Sequence, residues 1–421
     1  MVSPMNTTDD PLVSYQEILA AQQAIRDRII YTPCPRSYLL SEHLGCNVYC
    51  KLDYLQHTGS FKERGVANAL IHLDQMQRKR GVIAASAGNH ALALAYHGKQ
   101  MQIPVTVVMP VFAPLIKVDT CRRLGATIVQ HGKSFDQAVE HAKQLCKLQQ
   151  LTYIHGFNNR HVIAGQGTLG LEIIEQVPDM DAVIVPVGGG GLIAGIGAAV
   201  KTLRPDVKII GVEPVRMPLL SKSLAGGKPV SIPSVPTLAD GLAVGCMGQL
   251  SFAMAALYTD AVVSVDESDL ALAILRLLEL EKAVVEGAAA SSLAALLGGK
   301  LPDLKGKTVV LPLCGGNIDP LVLGRVIEFG MSVDQRLCRV QVTISDRPGG
   351  LATLTQELAD SGVSVQEIRH ERIFAGPDVN RVQVQLVLET RNGEHLELLI
   401  ESLRKKGFNA QPQGRDWVDE L

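Results

Sequence analysis

The chain has 421 residues, 47% hydrophobic but only 4% aromatic, and its 40 basic and 42 acidic residues leave a net charge of −2. No basic stripe stands out, which argues against a nucleic-acid partner, and no apolar run is long enough to cross a bilayer. The length allows ~2–3 domains, and abundant Ala, Val, Leu and Gly suit parallel sheets covered by helices.

Met1 to Pro11 is polar, with no basic region followed by an apolar one, so no signal peptide is expected. Eight scattered cysteines without a CxxC pair point to reduced thiols and a cytoplasmic protein. Cys46 and Cys50 have the spacing of half a zinc site, but no second half follows, and no metal site is expected.

Strand and helix signals then alternate. Arg78-Lys79-Arg80 ends a helix before Gly81, where basic residues favour the helix dipole. Val82 to Ala85 is a short buried strand, and a helix is predicted from Asn89 to about Gln100. Strands follow at Val105 to Met109, Ala126 to Val129, Ala182 to Val187, Lys208 to Val212 and Thr308 to Leu313. Continuous apolar strands separated by helices predict a parallel sheet with right-handed crossovers. The most apolar region, Leu270 to Leu297, is interrupted by Glu279, Glu281, Lys282 and Glu286.

The pattern changes after about Gly330. Val340, Val342 and Ile344 alternate with polar residues, as do Val382, Val384, Leu386 and Leu388. Leu351, Leu354 and Leu358 mark one helix, and Leu396, Leu399, Ile400 and Leu403 another. With strands beginning at Val363 and at Phe408, the order is β-α-β-β-α-β, a ferredoxin-like sandwich. The expected division is a catalytic part over 12–330 (its smaller subdomain about 63–160), a linker over 331–337 and a second domain over 338–421.

Three strand-to-helix corners carry chemistry. Gly188 to Gly191, followed by Leu192, removes every Cβ from a turn, so backbone N–H groups can wrap an anion at a helix N-terminus. No Gly-Lys-Ser/Thr follows, so this is not a Walker loop. Taken alone, Gly189, Gly191 and Ala194 with Glu213 also fit a looser dinucleotide spacing. Ser86-Ala87-Gly88-Asn89-His90 sits at a strand end where a helix N-terminus welcomes a carboxylate, although an ordinary N-cap reads the same way. Leu313-Cys314-Gly315-Gly316-Asn317 is the third corner. Upstream, Thr58-Gly59-Ser60-Phe61-Lys62 offers a reactive amine. An amine, a carboxylate-binding turn and a phosphate cradle in this order ask for pyridoxal phosphate rather than a dinucleotide.

These segments, with Val162 to Thr168 and Leu238-Ala239-Asp240-Gly241, resemble the fold type II pyridoxal-phosphate enzymes. The resemblance covers most of residues 15–328 and is nearest the threonine/serine dehydratases and serine racemases. It implies a tryptophan synthase β-like α/β fold with two parallel-sheet subdomains. It also implies that Lys62 carries the cofactor and exchanges the Cα proton, that Phe61 packs beside the ring, and that Asn89 bonds the phenolic oxygen. Gly188, Gly189, Gly190, Gly191 and Leu192 would hold the phosphate through backbone N–H groups. Cys314 would be a neutral partner near the pyridine nitrogen, where relatives often have Ser or Thr. Ser86, Ala87, Asn89 and His90 would form the turn that receives the substrate carboxylate.

The serine racemases in this resemblance place a serine where this chain has Ala87, and a methyl group transfers no proton. Elimination is therefore expected: L-threonine to 2-oxobutanoate and ammonia, with L-serine to pyruvate second. Serine racemase with accessory elimination and a non-catalytic amino-acid sensor are the alternatives. Glu213 matches a cation ligand of some relatives, but the segment after it supplies no aspartate. The tail resembles an ACT domain, which implies an amino-acid effector, isoleucine or valine, and a homodimer or homotetramer.

Overall fold

Six strands pair into one sheet in a computed structural model of the chain, in the order Arg36–Ser37, Asn47–Lys51, Thr308–Pro312, Ala182–Pro186, Lys208–Pro214, Ala261–Val265. All neighbours are parallel except the first pair. A second, wholly parallel sheet orders Thr127–Gln130, Val105–Met109, Val82–Ala85 and Thr152–Tyr153. Val82–Ala85 and Ala182–Pro186 are buried at every position, because helices cover both faces and no strand face needs polar alternation. The structure describes residues 12–372 and 380–413. The Met1 to Pro11 reading lies outside them.

Helix Arg160–Gln176 packs against both helix Lys62–Ile71 and helix Gly191–Leu203. The approach is backbone to backbone. A Cβ on Gly165 would lie 2.5 Å from the Arg64 carbonyl oxygen, and one on Gly195 would lie 2.5 Å from the Gly167 nitrogen. Glycine is the residue that permits such approach. The two helices seated this way are those whose N-terminal ends carry Lys62 and the glycine run.

The chain divides into two units between Ile318 and Asp319. The linker expected over 331–337 is corrected by helix Pro320–Val333, which Asp319 caps through Leu321 and which leaves 334–336 before strand Leu337–Ser345. Gly330, read as the point of change, is buried inside that helix.

In the second unit the antiparallel order is Ser364–Glu371, Arg381–Glu389, Leu337–Ser345, Asn409–Gln413. Val340 lies opposite Leu386 and Val342 opposite Val384. Their buried face packs with Leu354 and Leu358 of helix Gly350–Asp360 and with Leu399, Ile400 and Leu403 of helix Gly393–Lys405. The alternation read from the sequence is this inward face. Val365, by contrast, is exposed, on an edge strand that bulges between Val365 and Glu367.

Candidate active site

Lys62 opens its helix directly after Phe61. Its Nζ donates to the Gly156 carbonyl at 2.9 Å and stands 5.1 Å from the Phe61 ring centre. Burial pushes the amine down to about 8, opposed by Cys314 and Glu286. Desolvation disfavours the ammonium, so a neutral, nucleophilic amine comes within reach of physiological pH. The segment before it is laced to the third corner. Phe61 N–H donates to the Cys314 carbonyl at 2.9 Å, Gly316 N–H to the Gly59 carbonyl at 2.9 Å, and Ser60 bridges Gly315.

Asn89 is the first residue of helix Asn89–Gln100; Gly88 occupies the N-cap and makes no side-chain cap bond. The ordinary N-cap reading of Asn89 is thereby corrected, because its side chain works away from its own helix. Nδ2 donates to both Glu286 oxygens, at 2.8 and 3.0 Å, and Oδ1 accepts from Asn317 at 2.9 Å. Ser86 Oγ accepts from the Gly88 N–H at 3.2 Å, tightening the turn, while Ala87 packs on the core of the smaller sheet. His90 is buried, with Nε2 2.9 Å from the Ile154 carbonyl. Burial and then Lys62 push its imidazole down to about 3, so it is neutral here. Burial likewise pushes His155 down to about 4; its Nδ1 accepts from the Asn158 N–H at 3.1 Å.

Gly188 to Gly191 lies between strand Ala182–Pro186 and helix Gly191–Leu203, and Gly190 adopts φ +87°, which favours glycine. A Cβ on Gly189 would fall 2.3 Å from the Phe157 ring, and one on Gly190 2.4 Å from the Met247 methyl carbon. Leu192 turns a buried side chain into the core and leaves only its backbone for the turn. Cys314 is also buried, and burial pushes its thiol well up, leaving it neutral. Glu213 accepts from the Leu220 N–H at 2.7 Å and from both the N–H and hydroxyl of Ser221. Among the described residues no group of three or more His, Cys, Asp or Glu is placed to hold a metal, and no helix is long and apolar enough to cross a membrane.

Sequence reasoning missed three contributors. Glu286 was read only as an interruption of an apolar stretch, although a single acid directly before Gly287 to Leu297 was a helix-start signal. Asn317 was placed at the third corner without a partner. The third is a fully buried ion network under helix Lys62–Ile71. Arg64 grips Asp53 at 2.7 and 2.8 Å and Glu172 at 2.6 and 2.9 Å, and Lys51 adds a bond to Glu172 at 2.5 Å.

A desolvated lysine on a parallel α/β scaffold, facing strand-end corners with one free of Cβ atoms, defines an enzyme that works through a covalently held, phosphate-bearing cofactor. The chain belongs to the family of pyridoxal-phosphate dependent enzymes, which matches residues 25–315. It is 42% identical over 403 residues to an L-threonine ammonia-lyase of Thermotoga maritima, covering 96% of this chain and all of that relative. Among solved structures, it resembles the processed form of threonine deaminase isoform 2 from Solanum lycopersicum. That match has a TM-score of 0.72 and 35% identity over 78% of this chain and 93% of that one. Maize serine racemase matches with a TM-score of 0.72 and 32% identity, over 74% of this chain and 96% of that one.

The residues present fit pyridoxal phosphate. The glycine turn offers bare backbone at a helix N-terminus, and Phe157 and Met247 leave no room there for a Cβ. Thr58 Oγ1, Ser60 Oγ and His90 Nδ1 are buried without a hydrogen-bond partner among the described residues, on the two segments that carry Lys62 and Asn89. A polar occupant of the site would give these three atoms partners.

Proposed function

We propose that the chain catalyses the β-elimination of L-threonine to 2-oxobutanoate and ammonia, with L-serine to pyruvate as a second activity. One observation carries this reading: the Lys62 amine is desolvated, on a segment bonded to the Cys314 corner, in a chain that matches a threonine ammonia-lyase along that relative's whole length. Pyridoxal phosphate, when bound, supplies an aldehyde that captures amino groups and a conjugated ring that draws electrons from Cα. Gly188, Gly189, Gly190, Gly191 and Leu192 would hold its phosphate through backbone N–H groups at a helix N-terminus. Phe61 would flank its ring, Asn89 would bond its phenolic oxygen, and Cys314, a neutral thiol, would be the partner for its pyridine nitrogen.

Lys62 is the base that would take the Cα proton, and the Gly156 carbonyl gives its Nζ a resting partner at 2.9 Å. Ser86 to His90 receives the substrate carboxylate at the start of helix Asn89–Gln100. With both site histidines neutral, that recognition falls to backbone N–H groups and the helix dipole. The β-hydroxyl leaves as water, balanced by the proton that Lys62 removes from Cα, and hydrolysis of the released enamine product gives the 2-oxo acid and ammonia.

The C-terminal unit acts as an ACT-like module that senses an amino acid, isoleucine or valine, and the protein works as a cytoplasmic homodimer or homotetramer. The βαββαβ order supports this, as does a relative that extends through the same region. The similarity to maize serine racemase keeps racemization as the second reading. Ala87, which offers no acid or base, weighs against it.

The test is release of 2-oxo acid from L-threonine and L-serine by the cofactor-loaded protein, with chiral analysis of the serine. Rapid 2-oxobutanoate formation is expected, and Lys62→Ala should lose on the order of 10³-fold or more of it. D-serine accumulating without oxo acid would overturn elimination in favour of racemization.

A further inference from the structure

Glu286 is a buried acid to which the reading above gives no part. It stands at the N-cap of helix Gly287–Leu297, where a side chain often closes the first turn, yet it makes no cap bond. Its carboxylate turns into the site and takes both bonds from Asn89 Nδ2. The backbone fixes that direction. Glu286 N–H donates to the Gly315 carbonyl at 3.0 Å, and a Cβ on Gly315 would lie 2.3 Å from Glu286 Oε1. On the far side, Asn317 Nδ2 donates to Asn89 Oδ1 and, at 2.7 Å, to the Thr58 carbonyl. A carboxylate only accepts and the Asn317 amine only donates, so the Asn89 amide has one orientation that satisfies both. Turned over, it would set oxygen against oxygen and donor against donor.

We propose that Glu286 is a positioning residue for the elimination: it fixes which edge of Asn89 donates, and its ionisation sets the low-pH limb of activity. The inference rests on the reading in which Asn89 holds the cofactor. Burial pushes the Glu286 carboxyl up to about 7, opposed by the Asn89 hydrogen bonds; Asp240 adds to the rise, while Lys117 and Lys62 oppose it. Asp240, Lys117 and Lys62 are the charged groups that act on it, and Cys314, which Glu286 itself helps keep neutral, is the titratable side chain beside them. Protonated, Glu286 keeps one acceptor oxygen but turns the other into a donor, so one of the two bonds from Asn89 is lost and the chain of bonds loosens as pH falls.

Glu286→Gln keeps the shape and an acceptor but removes the ionisation. In the cofactor-loaded full chain, the wild type is expected to show a step near the Glu286 midpoint of about 7 both in cofactor absorbance and in kcat/KM for L-threonine. The Gln variant should lose that step, and Glu286→Asp should keep one at a displaced midpoint. The apo-protein gives a readout independent of turnover. Because the folded carboxyl titrates higher than an unfolded one (~4.3), its stabilisation is complete below the unfolded value and fades as pH rises through the folded one. Thermal melts of the wild type should therefore fall more between pH ~5 and ~8 than those of the Gln variant. An unchanged absorbance step and acid limb in Glu286→Gln, or no step in a folded Asp variant, overturns the proposal. If the wild type releases no oxo acid, the lyase reading fails instead, and the absorbance comparison still decides the role of Glu286.

Discussion

At the residue scale, the decisive property of Lys62 is how readily it gives up a proton. A solvated lysine is almost wholly ammonium at neutral pH and a poor nucleophile toward an aldehyde. Burial brings this one down to about 8. Covalent uptake of pyridoxal phosphate by the apo-protein, trapped with borohydride, should accordingly speed up through pH ~7 to ~9 with a midpoint near that value. A midpoint near that of free lysine would show that the amine is solvated. Lys62, the four glycines and Ser86 to His90 stood out in the sequence because each belongs to a short local pattern, the last two at strand ends. Glu286 and Asn317 were not. Their meaning comes from Asn89, 197 and 228 residues away along the chain, and no local period announces such a pairing. No local pattern marks Phe157 either, and folding lays it across the missing Cβ of Gly189.

At the element scale, helix Lys62–Ile71 is held by its buried charges as much as by its glycine contact. Arg64, two residues after Lys62, makes paired bonds to Asp53 and to Glu172, and all three side chains are essentially excluded from water. Burial alone would raise the Asp53 carboxyl; the Arg64 guanidinium, with Lys51 and Thr32, overturns that and holds it below the usual carboxylate range. Removing one partner strands a buried charge, which typically costs ~3–5 kcal/mol. Asp53→Asn should destabilise the protein by about that much in chemical denaturation at neutral pH. The sign of the pH dependence follows from the lowered pKa. The Asp53 contribution is present above the unfolded value of ~3.9 and lost as pH falls through the folded one, so the gap between wild type and variant should narrow in acid. A gap unchanged between pH ~7 and ~3 would mean that ionisation of Asp53 contributes nothing. Strands and helices were readable here from apolar runs and stop residues. The network was not, because Lys51, Asp53, Arg64 and Glu172 are charged side chains that taken singly read as surface.

At the scale of the whole molecule, the question is how a second unit could answer to an amino acid and bind a further copy. Strand Ser364–Glu371 pairs on one side only among the described residues, with Arg381–Glu389, and Ser364 to His370 are all exposed. An open edge is a template for another strand, and here it presents Val365 and Ile368, each 39% exposed. Charges of alternating sign flank Ile368: Glu367 on one side, Arg369 on the other, paired within the chain at 2.5 Å. A second copy running antiparallel about Ile368 would set each Glu367 opposite the partner's Arg369, so the edge is complementary to itself. Association through this edge makes Ile368→Lys the informative change. It places like charges at the centre of the pairing, and the predominant species in sedimentation velocity should become smaller. If the same pairing carries the effector response, isoleucine or valine should shift the L-threonine saturation curve of the wild type. The shift should be largely lost in the Lys variant, while turnover at saturating threonine stays within about twofold, since the change lies in a unit separate from the Lys62 site. An unchanged sedimentation coefficient would place the association on other surfaces. A smaller species that keeps its full effector shift would separate sensing from assembly.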